Sequence, residues 1–261
     1  MKNIAVVFGG FSSEHEVSVK SGKFIYENLK DNQSLNVYQI CISKESNYVI
    51  YDNNKYDLDY MNLSFSINGK KINLDGIFNI IHGEPGENGD LANILEKNNI
   101  PQTGCNSFVS DLTFNKKRYI DFVNKLDIPS SKHILLTSEN QFDLEKIMSE
   151  INIPCIVKPN NGGSSIGVSK VNHFHDLENK IKIAFKECNE VLIEDFLFGK
   201  EVSVGVIQKK DERIILPVTE IISENELFDY GAKYLGQSKE ITPANISNEE
   251  INLIHEYINI I

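Results

Sequence analysis

The sequence has few cysteines, no apolar run of membrane length and a deficit of positive charge. The four cysteines are widely spaced and form no C-x-x-C pair, which argues against a zinc site. The net charge of −11 argues against a broad nucleic-acid or membrane-binding surface, so any anion site must be a local cluster of lysines and N–H groups. No signal-peptide pattern precedes the first predicted strand, and no apolar run is long enough to span a bilayer. We therefore expect a cytoplasmic protein that binds neither nucleic acid nor membranes.

Two common nucleotide-binding signatures are also missing. No G-x-G-x-x-G occurs, which excludes a standard dinucleotide fingerprint. Gly162 and Gly167 have the glycine spacing of a Walker A loop, but Val168 follows where that motif requires lysine. If this stretch holds a nucleotide, it does so as a flexible loop between two strands and not as a helix-capping P-loop.

The stretch around these glycines nevertheless carries groups that suit a polyphosphate. The apolar residues 155–157 predict a buried strand that ends at Lys158, whose ammonium can share its charge with phosphate oxygens. The glycines let backbone N–H groups approach a ligand closely, and Ser164 and Ser165 add hydroxyl donors. A hairpin with a polar loop explains this stretch alone equally well.

Strand ends followed by glycine-rich loops also occur in the N-terminal part of the chain. Residues 4–8 predict a strand that is buried on both faces, and two glycines and a polar helix entry with Glu14 follow it. Residues 77–81 predict a similar strand, which ends at His82 beside three glycines. Ligands gather at the carboxyl ends of the strands in open α/β sheets, so we expect both side chains to face a ligand. A helix-dipole role for Glu14 and a structural role for His82 are the alternatives.

The remaining pattern predicts further strands and helices. Residues 108–126 predict one amphipathic helix, residues 214–222 predict one strand, and the polar residues 44–72 predict short strands in a meandering connection. The sequence Ser247-Asn248-Glu249-Glu250 predicts a capping box at the start of a last helix.

Seven short segments, in this order, resemble the D-alanine–D-alanine ligases of the ATP-grasp superfamily. They are Gly9-Gly10-Phe11-Ser12-Ser13-Glu14-His15-Glu16-Val17-Ser18, His82-Gly83-x-x-Gly86-Glu87-x-Gly89, Pro101-x-Thr103-Gly104, Asn115-Lys116, Lys158-Pro159-x-x-x-Gly163-Ser164-Ser165-x-Gly167, Glu194-x-x-Leu197-x-x-x-Glu201 and Asp229-Tyr230-x-Ala232-Lys233-Tyr234. Each segment is weak by itself, but seven in order are specific. The resemblance implies an α/β protein in which an open parallel, Rossmann-like sheet precedes an ATP-grasp region.

We expect three parts, with a first boundary near Gly104, where the sequence pattern changes. They are an N-terminal substrate-binding domain at residues 1–104, a central ATP-grasp subdomain at residues 105–190 with a flap at 158–168, and an incomplete C-terminal subdomain at residues 191–261 with a lid loop at 224–240. Members of the family continue past the last helix to the residues that hold Mg²⁺. We therefore expect the Mg²⁺ ligands beyond residue 261 and the 261-residue chain to be inactive, either as a fragment or as a natural truncation.

The resemblance also implies the reaction and the roles of single residues. The family joins two D-alanines with ATP, through a D-alanyl phosphate, to supply peptidoglycan synthesis, and a homodimer is implied as well. Glu14 matches the carboxylate that binds the first D-alanine's ammonium, Ser164 and Tyr234 match its partners in the closed catalytic site, and His82 lies near the substrates. The ATP contacts implied are Lys116, Lys158 and Lys233 at the phosphates, Ser164 and Ser165 in the flap, and Glu194, Leu197 and Glu201 at the adenosine.

The sequence departs from the family pattern at three places. Asp195 replaces a common lysine beside the adenine, Ala92-Asn93 replaces Gln-Gly, and Asn160-Asn161 replaces more charged residues. None of these changes removes a reacting group. Two alternatives stay open: a D-alanine–D-lactate or D-alanine–D-serine ligase, and a nucleotide- or D-alanine-binding protein that no longer catalyses.

Overall fold

The computed structural model describes residues 1–139, 141–210, 212–223 and 238–261. It contains two compact units, Met1–Asn115 and Lys116–Ile261. Within the described ranges, no helix is both long and apolar enough to cross a membrane.

The first unit is built on a five-stranded sheet. Its strands and helices are β1 (Lys2–Gly9), α1 (His15–Leu29), β2 (Leu35–Ile42), β3 (Tyr48–Tyr51), β4 (Asn54–Asp57), β5 (Phe65–Ile67), β6 (Lys70–Ile72), β7 (Gly76–Asn79), α2 (Asp90–Lys97) and α3 (Ser107–Phe114). The sheet order is β4-β3-β2-β1-β7, and β1 is parallel to both β2 and β7. The predicted α/β class and N-terminal sheet are confirmed, although the antiparallel strands β3 and β4 make one edge of the sheet mixed.

Strand β1 is buried on both faces, as its continuous apolar sequence predicts. Ala5 and Val7 belong to the core that includes Leu91 and Leu95 of α2, while Val6 and Phe8 belong to a second core beneath α1. Alternate residues of a strand point to opposite faces, so each helix covers one set. The first unit is therefore a three-layer arrangement in which β1 lies between its two parallel neighbours β2 and β7.

The second unit begins with a four-stranded antiparallel sheet. Its described elements are α4 (Lys116–Asn124), β8 (His133–Leu136), α5 (Leu144–Glu150), β9 (Cys155–Pro159), β10 (Ser169–Val171), α6 (Phe174–Phe185), β11 (Val191–Asp195), β12 (Glu201–Ser203), β13 (Val206–Lys209), β14 (Glu212–Ile215), β15 (Thr219–Ser223), β16 (Ser238–Ile241) and α7 (Asn248–Ile260). The first sheet has the order β10-β9-β11-β8, and smaller sheets have the orders β12-β15-β16 and β13-β14. Helices α5 and α6 contribute Ile147, Leu177 and Ile181 to its core.

The predicted helix over residues 108–126 is wrong, because two helices occupy this region. Asn115 has an extended backbone with φ −89° and ψ 104°, which ends α3. The next N–H, that of Lys116, donates to the backbone oxygen of Asn160 at 3.0 Å, and α4 begins there. A distant acceptor thus replaces the hydrogen bond that would have continued α3.

The predicted strand over residues 214–222 is also wrong, because it is divided into β14 and β15. Pro217 has no N–H to donate to a strand ladder. The preceding Leu216 N–H still donates to the Gly205 oxygen at 2.9 Å, as the pairing of β13 with β14 continues to this residue, and the strand ends at Pro217. The capping box at Ser247 is confirmed by hydrogen bonds between Ser247 and Glu250 in both directions.

Two elements follow a predicted domain boundary but pack or pair with elements that precede it. Helix α3 follows residue 104 and packs against α2 within the first unit. Strand β11 follows residue 190 and pairs with β9 and β8. The three-part division at residues 104 and 190 stays a prediction.

Candidate functional site

Two glycine turns meet at the carboxyl ends of β1 and β7 in the first unit. Gly9 and Gly10 have φ values of 100° and 101°, and Gly10 N donates to the Ile42 oxygen at 2.7 Å. A Cβ atom on Gly10 would lie 2.7 Å from Cγ2 of Ile81 and 2.8 Å from the Glu84 oxygen. Both the backbone angles and the lack of space therefore require glycine at this turn.

Ser12 ties the Glu14 turn to the His82 loop. Its hydroxyl donates to the His82 backbone oxygen at 2.8 Å and accepts from Glu14 N at 3.2 Å. A Cβ atom on Gly83 would lie 3.7 Å from Oε2 of Glu14, so the Glu14 carboxylate is close to the His82 loop. The structure therefore brings Glu14 and His82 to the same end of the sheet.

The polar groups at this end of the sheet are partly desolvated. Glu14 is buried, and Nε2 of His82 is a buried atom for which the described residues offer no hydrogen-bond partner. Desolvation raises the pKa of Glu87 above its usual value, the Gly83 N–H opposes this shift, and the Glu14 charge adds a smaller upward contribution. A carboxylate and a buried unpaired imidazole nitrogen are groups that suit a small zwitterionic ligand.

The candidate site in the second unit is the loop between β9 and β10. Gly162, Ser164, Ser165 and Gly167 all have positive φ values, from 47° to 109°. Ile166 N donates to the Gly163 oxygen at 3.2 Å, and Val168 N donates to the Ser165 oxygen at 3.3 Å. These bonds fold the loop into two successive tight turns, and Ser164 becomes buried.

A cavity of about 320 Å³ lies beneath this loop. It is lined by Lys116, Ile156, Lys158, Pro159, Gly162, Gly163, Ser164, Ser165, Ile166 and Val168. Apolar residues of β9 and of the loop line the cavity together with two lysines and two serines. That combination suits a ligand with one flat apolar part and one anionic part.

The two lysines of this cavity are held in different ways. Lys158 forms an ion pair with Glu194 of the neighbouring strand β11, and both side chains are mostly buried. Lys116 Nζ donates to the backbone oxygen of Gly162 at 2.9 Å, and thereby reaches the loop itself. Each ammonium is thus fixed beside the cavity by another group of the same unit.

The structure does not bring every predicted residue to the cavity lining. Leu197 and Glu201 are exposed and do not line the cavity under the loop. Lys233 and Tyr234, and with them most of the predicted lid, lie outside the described residues.

A magnesium site is not found in the described part of the chain. Among residues 1–139, 141–210, 212–223 and 238–261, no group of three or more His, Cys, Asp and Glu side chains could hold a metal ion. No described residues can therefore be assigned to this metal.

Sequence reasoning missed three polar residues that organise these loops. Ser18 accepts from Gly9 N at 2.9 Å and donates to the Ile80 oxygen at 2.7 Å, so it joins α1 to two strand ends. Asn160 joins the start of α4 to the glycine–serine loop. Asn152 donates twice to the carboxylate of Asp195, the residue that replaces a common lysine. Ser18 ends the first motif segment and Asn160 lies inside the segment that begins at Lys158, which is the only signal that the sequence offered.

Comparison with known proteins gives consistent results over both units. Family models described as D-ala D-ala ligase N-terminus and D-ala D-ala ligase C-terminus match residues 3–105 and 122–260. A D-alanine--D-alanine ligase of Flavobacterium psychrophilum is 44% identical over 254 residues, which are 97% of this chain and 77% of the relative.

Two solved structures have a similar fold. The D-alanyl-alanine synthetase A of Vibrio cholerae has a TM-score of 0.85 at 26% identity, over 99% of this chain and 79% of that one. The VanG D-Ala:D-Ser ligase of Enterococcus faecalis has a TM-score of 0.82 at 30% identity, over 99% of this chain and 81% of that one.

Proposed function

The chain belongs to the D-alanine–D-alanine ligase family, and from this we propose that it joins two D-alanines at the expense of ATP, for peptidoglycan synthesis. The observation that carries this proposal is the cavity beneath the glycine–serine loop. Two lysines and two serines line this cavity, and all four are residues that the family resemblance assigns to ATP binding. The reaction needs one site that binds ATP and one that binds an amino acid, and each unit offers one candidate.

We assign the ATP site to the second unit. Lys116 and Lys158 would bind phosphate oxygens and offset their negative charge, and the loop with Ser164 and Ser165 would cover them. Glu194, Leu197 and Glu201 are proposed for the adenosine, and Lys233 for the phosphates, as the family resemblance implies. The apolar side chains of Ile156 and Val168 suit the base.

We assign D-alanine to the first unit. The buried Glu14 carboxylate would bind the ammonium of the first D-alanine, and His82 would offer its unpaired Nε2 to the substrates. Ser164 and Tyr234 are proposed to complete the catalytic set by holding the flap and the lid closed.

The chemistry proceeds in two steps. A carboxylate oxygen of the first D-alanine attacks the γ-phosphorus of ATP, ADP leaves, and D-alanyl phosphate results. The amine of the second D-alanine, after losing a proton, attacks the acyl carbon; phosphate leaves and the amide bond forms. Lysine ammonium groups offset the developing charge in the first step, and donors near the carbonyl oxygen do so in the second. Covering the site also keeps water from the acyl phosphate.

Mg²⁺ is proposed as the second cofactor, because adjacent phosphates with developing charge require a divalent cation. No step is assigned to it, since the described carboxylates form no cluster. A cytoplasmic location fits the use of ATP and the four free cysteines. A homodimer is proposed on the resemblance alone, and the net charge of −11 supports the proposal that the protein binds neither nucleic acid nor membranes.

A D-alanine–D-serine ligase is the second candidate, because the VanG D-Ala:D-Ser ligase is structurally similar over almost the whole chain. The test is a product analysis with the protein expressed from its complete gene. D-alanine is supplied alone and then with equal D-serine or D-lactate, and products are identified by mass spectrometry. We expect D-alanyl-D-alanine as the main product in each mixture. Main formation of a mixed product would favour the second candidate, and no ATP-dependent product would contradict both.

A further inference from the structure

Asn160 joins the start of α4 to the glycine–serine loop. It directly follows β9 and is 1% exposed. Its side-chain oxygen accepts from Lys117 N at 2.9 Å, and its backbone oxygen accepts from Lys116 N at 3.0 Å. The first N–H groups of a helix have no acceptor inside the helix. Asn160 therefore caps α4 from a position that is distant in the sequence.

The side-chain nitrogen of Asn160 fixes the orientation of this cap. Nδ2 donates to Oε2 of Glu190 at 2.6 Å, and the backbone N donates to the Glu190 oxygen at 2.9 Å. A carboxylate only accepts hydrogen bonds, so the nitrogen must face Glu190 and the oxygen must face α4. An aspartate at this position would still cap the helix, but it would set two carboxylates against each other.

Lys116 is the residue that this arrangement holds in place. Asn160 binds its backbone N–H, and Nζ of Lys116 donates to the backbone oxygens of Gly162 at 2.9 Å and of Asn160 at 3.4 Å. The side chain lines the cavity, whereas Asn160 and Glu190 are not among the residues that line it. A lysine whose position is fixed in advance loses less conformational entropy when it binds an anion.

We propose that Asn160, oriented by Glu190, is a positioning residue for nucleotide binding that acts through Lys116. This inference rests on the proposed function, because it takes the anion in the cavity to be the ATP polyphosphate. The family resemblance gives no role to Asn160, which stands at a departure from the family pattern. The hydrogen bonds of the described loop assign that role.

The first experiment measures KM for ATP and for D-alanine separately, and titrates a non-hydrolysable ATP analogue by calorimetry. Asn160→Ala should raise KM for ATP and Kd for the analogue about tenfold, because it removes the side-chain acceptor of Lys117 N and the bond from Nδ2 to Glu190. KM for D-alanine should change by less than about twofold, since the D-alanine groups lie in the other unit. Asn160→Asp/Glu190→Gln exchanges donor and acceptor across one hydrogen bond, so it should recover most of the affinity that Asn160→Asp loses.

A double-mutant cycle tests the route through Lys116. In a Lys116→Ala background, Asn160→Ala should weaken analogue binding by less than about twofold, because the positioned group is already absent. Ile181→Val is the matched control for a loss of stability: it removes a methyl group from the core of the same unit. It should lower Tm and leave KM for ATP unchanged.

Three results would overturn the proposal. The first is an unchanged affinity of Asn160→Ala for the analogue. The second is an affinity of Asn160→Asp/Glu190→Gln no higher than that of Asn160→Asp. The third is a Kd of the Asn160→Ala/Lys116→Ala double variant that equals the product of the two single effects. A parent protein that binds the analogue but forms no product with D-alanine would contradict the proposed function only, and calorimetry would still decide the role of Asn160. A parent that binds no analogue would contradict both.

Discussion

At the scale of single residues, the Lys158–Glu194 pair links the stability of the second unit to its proposed function. The two side chains lie on neighbouring strands and retain 19% and 15% of their exposure. A mostly buried ion pair adds little over a well-packed apolar pair, but loss of one partner leaves an uncompensated charge. Stability and ATP binding should therefore respond differently to single and paired substitutions here.

We predict that Lys158→Met lowers the free energy of unfolding by about 2 kcal/mol, because Glu194 loses its partner. Lys158→Met/Glu194→Leu should lie within about 1 kcal/mol of the parent protein, since it removes both charges. ATP affinity should be lower than that of the parent protein in both variants, because both lack the Lys158 ammonium that is proposed to bind the phosphates. Urea unfolding and calorimetric titration measure the two quantities. Parent-like ATP affinity in Lys158→Met would remove Lys158 from the site.

Glu14→Gln should separate the two proposed substrates. The amide keeps the shape of the side chain but loses the charge that an ammonium group requires. KM for D-alanine at the first site should rise about tenfold or more, while KM for ATP should change by less than about twofold. Glu16→Gln is the matched control, because Glu16 is also acidic and lies in the first turn of α1, whose N-cap residue is Glu14. If ATP affinity falls and D-alanine affinity does not, then the assignment of Glu14 is wrong.

The identities of the site residues were easier to predict than their partners. Short motifs around Glu14, His82 and Lys158 indicated which side chains to examine, because strand ends and glycine turns are local patterns. The partner of Lys116 was not predictable in this way, since the Asn160 oxygen lies 44 residues further along the chain. Long-range hydrogen bonds leave no periodic signal in a sequence.

At the scale of helices and strands, the same limit explains the two wrong predictions. Strands β1, β7 and β9 were predicted because continuous apolar runs mark strands that are buried on both faces. The end of α3 at Asn115 depends on a distant acceptor and has no local cause of comparable strength. The break between β14 and β15 did have a local signal, Pro217, and that signal should have prevailed over the apolar pattern.

The packing of α1 on β1 gives a prediction at this scale. A Cβ atom on Gly22 would lie 2.5 Å from the ring of Phe8, so the helix approaches the strand too closely for any side chain. Gly22→Ala should lower the free energy of unfolding by about 1–3 kcal/mol through overpacking, despite alanine's better helix propensity. Phe8→Leu should partly restore stability in that background. Lys23→Ala, at an exposed position of the same helix, should not destabilise the protein, and an equal loss there would contradict the packing explanation.

At the scale of the whole molecule, each unit has its own core and one buried cysteine. Cys41 lies in β2 of the first unit, and Cys155 lies in β9 of the second. Burial raises the pKa of Cys155 to about 11, with a smaller contribution from the Asp195 charge. Its reactive thiolate is therefore a minor species until the pH approaches that value, whereas Cys105 is exposed.

Alkylation at about pH 8, followed by mass spectrometry, should therefore modify Cys105 and spare Cys155 in the native protein. In mild denaturant, ATP should slow the modification of Cys155 more than that of Cys41, since a ligand stabilises the unit to which it binds. Equal protection of both cysteines would contradict the assignment of ATP to the second unit alone, and rapid native modification of Cys155 would contradict its burial.

The central claim is that ATP activates the carboxylate of D-alanine before the amide bond forms. The most direct test supplies D-alanine labelled with oxygen-18 in its carboxylate, together with ATP, Mg²⁺ and the protein expressed from its complete gene. The proposed chemistry predicts that each inorganic phosphate carries one labelled oxygen, and that one D-alanyl-D-alanine forms for each ADP. Phosphate with only unlabelled oxygen, or ADP release that proceeds equally without D-alanine, would contradict it.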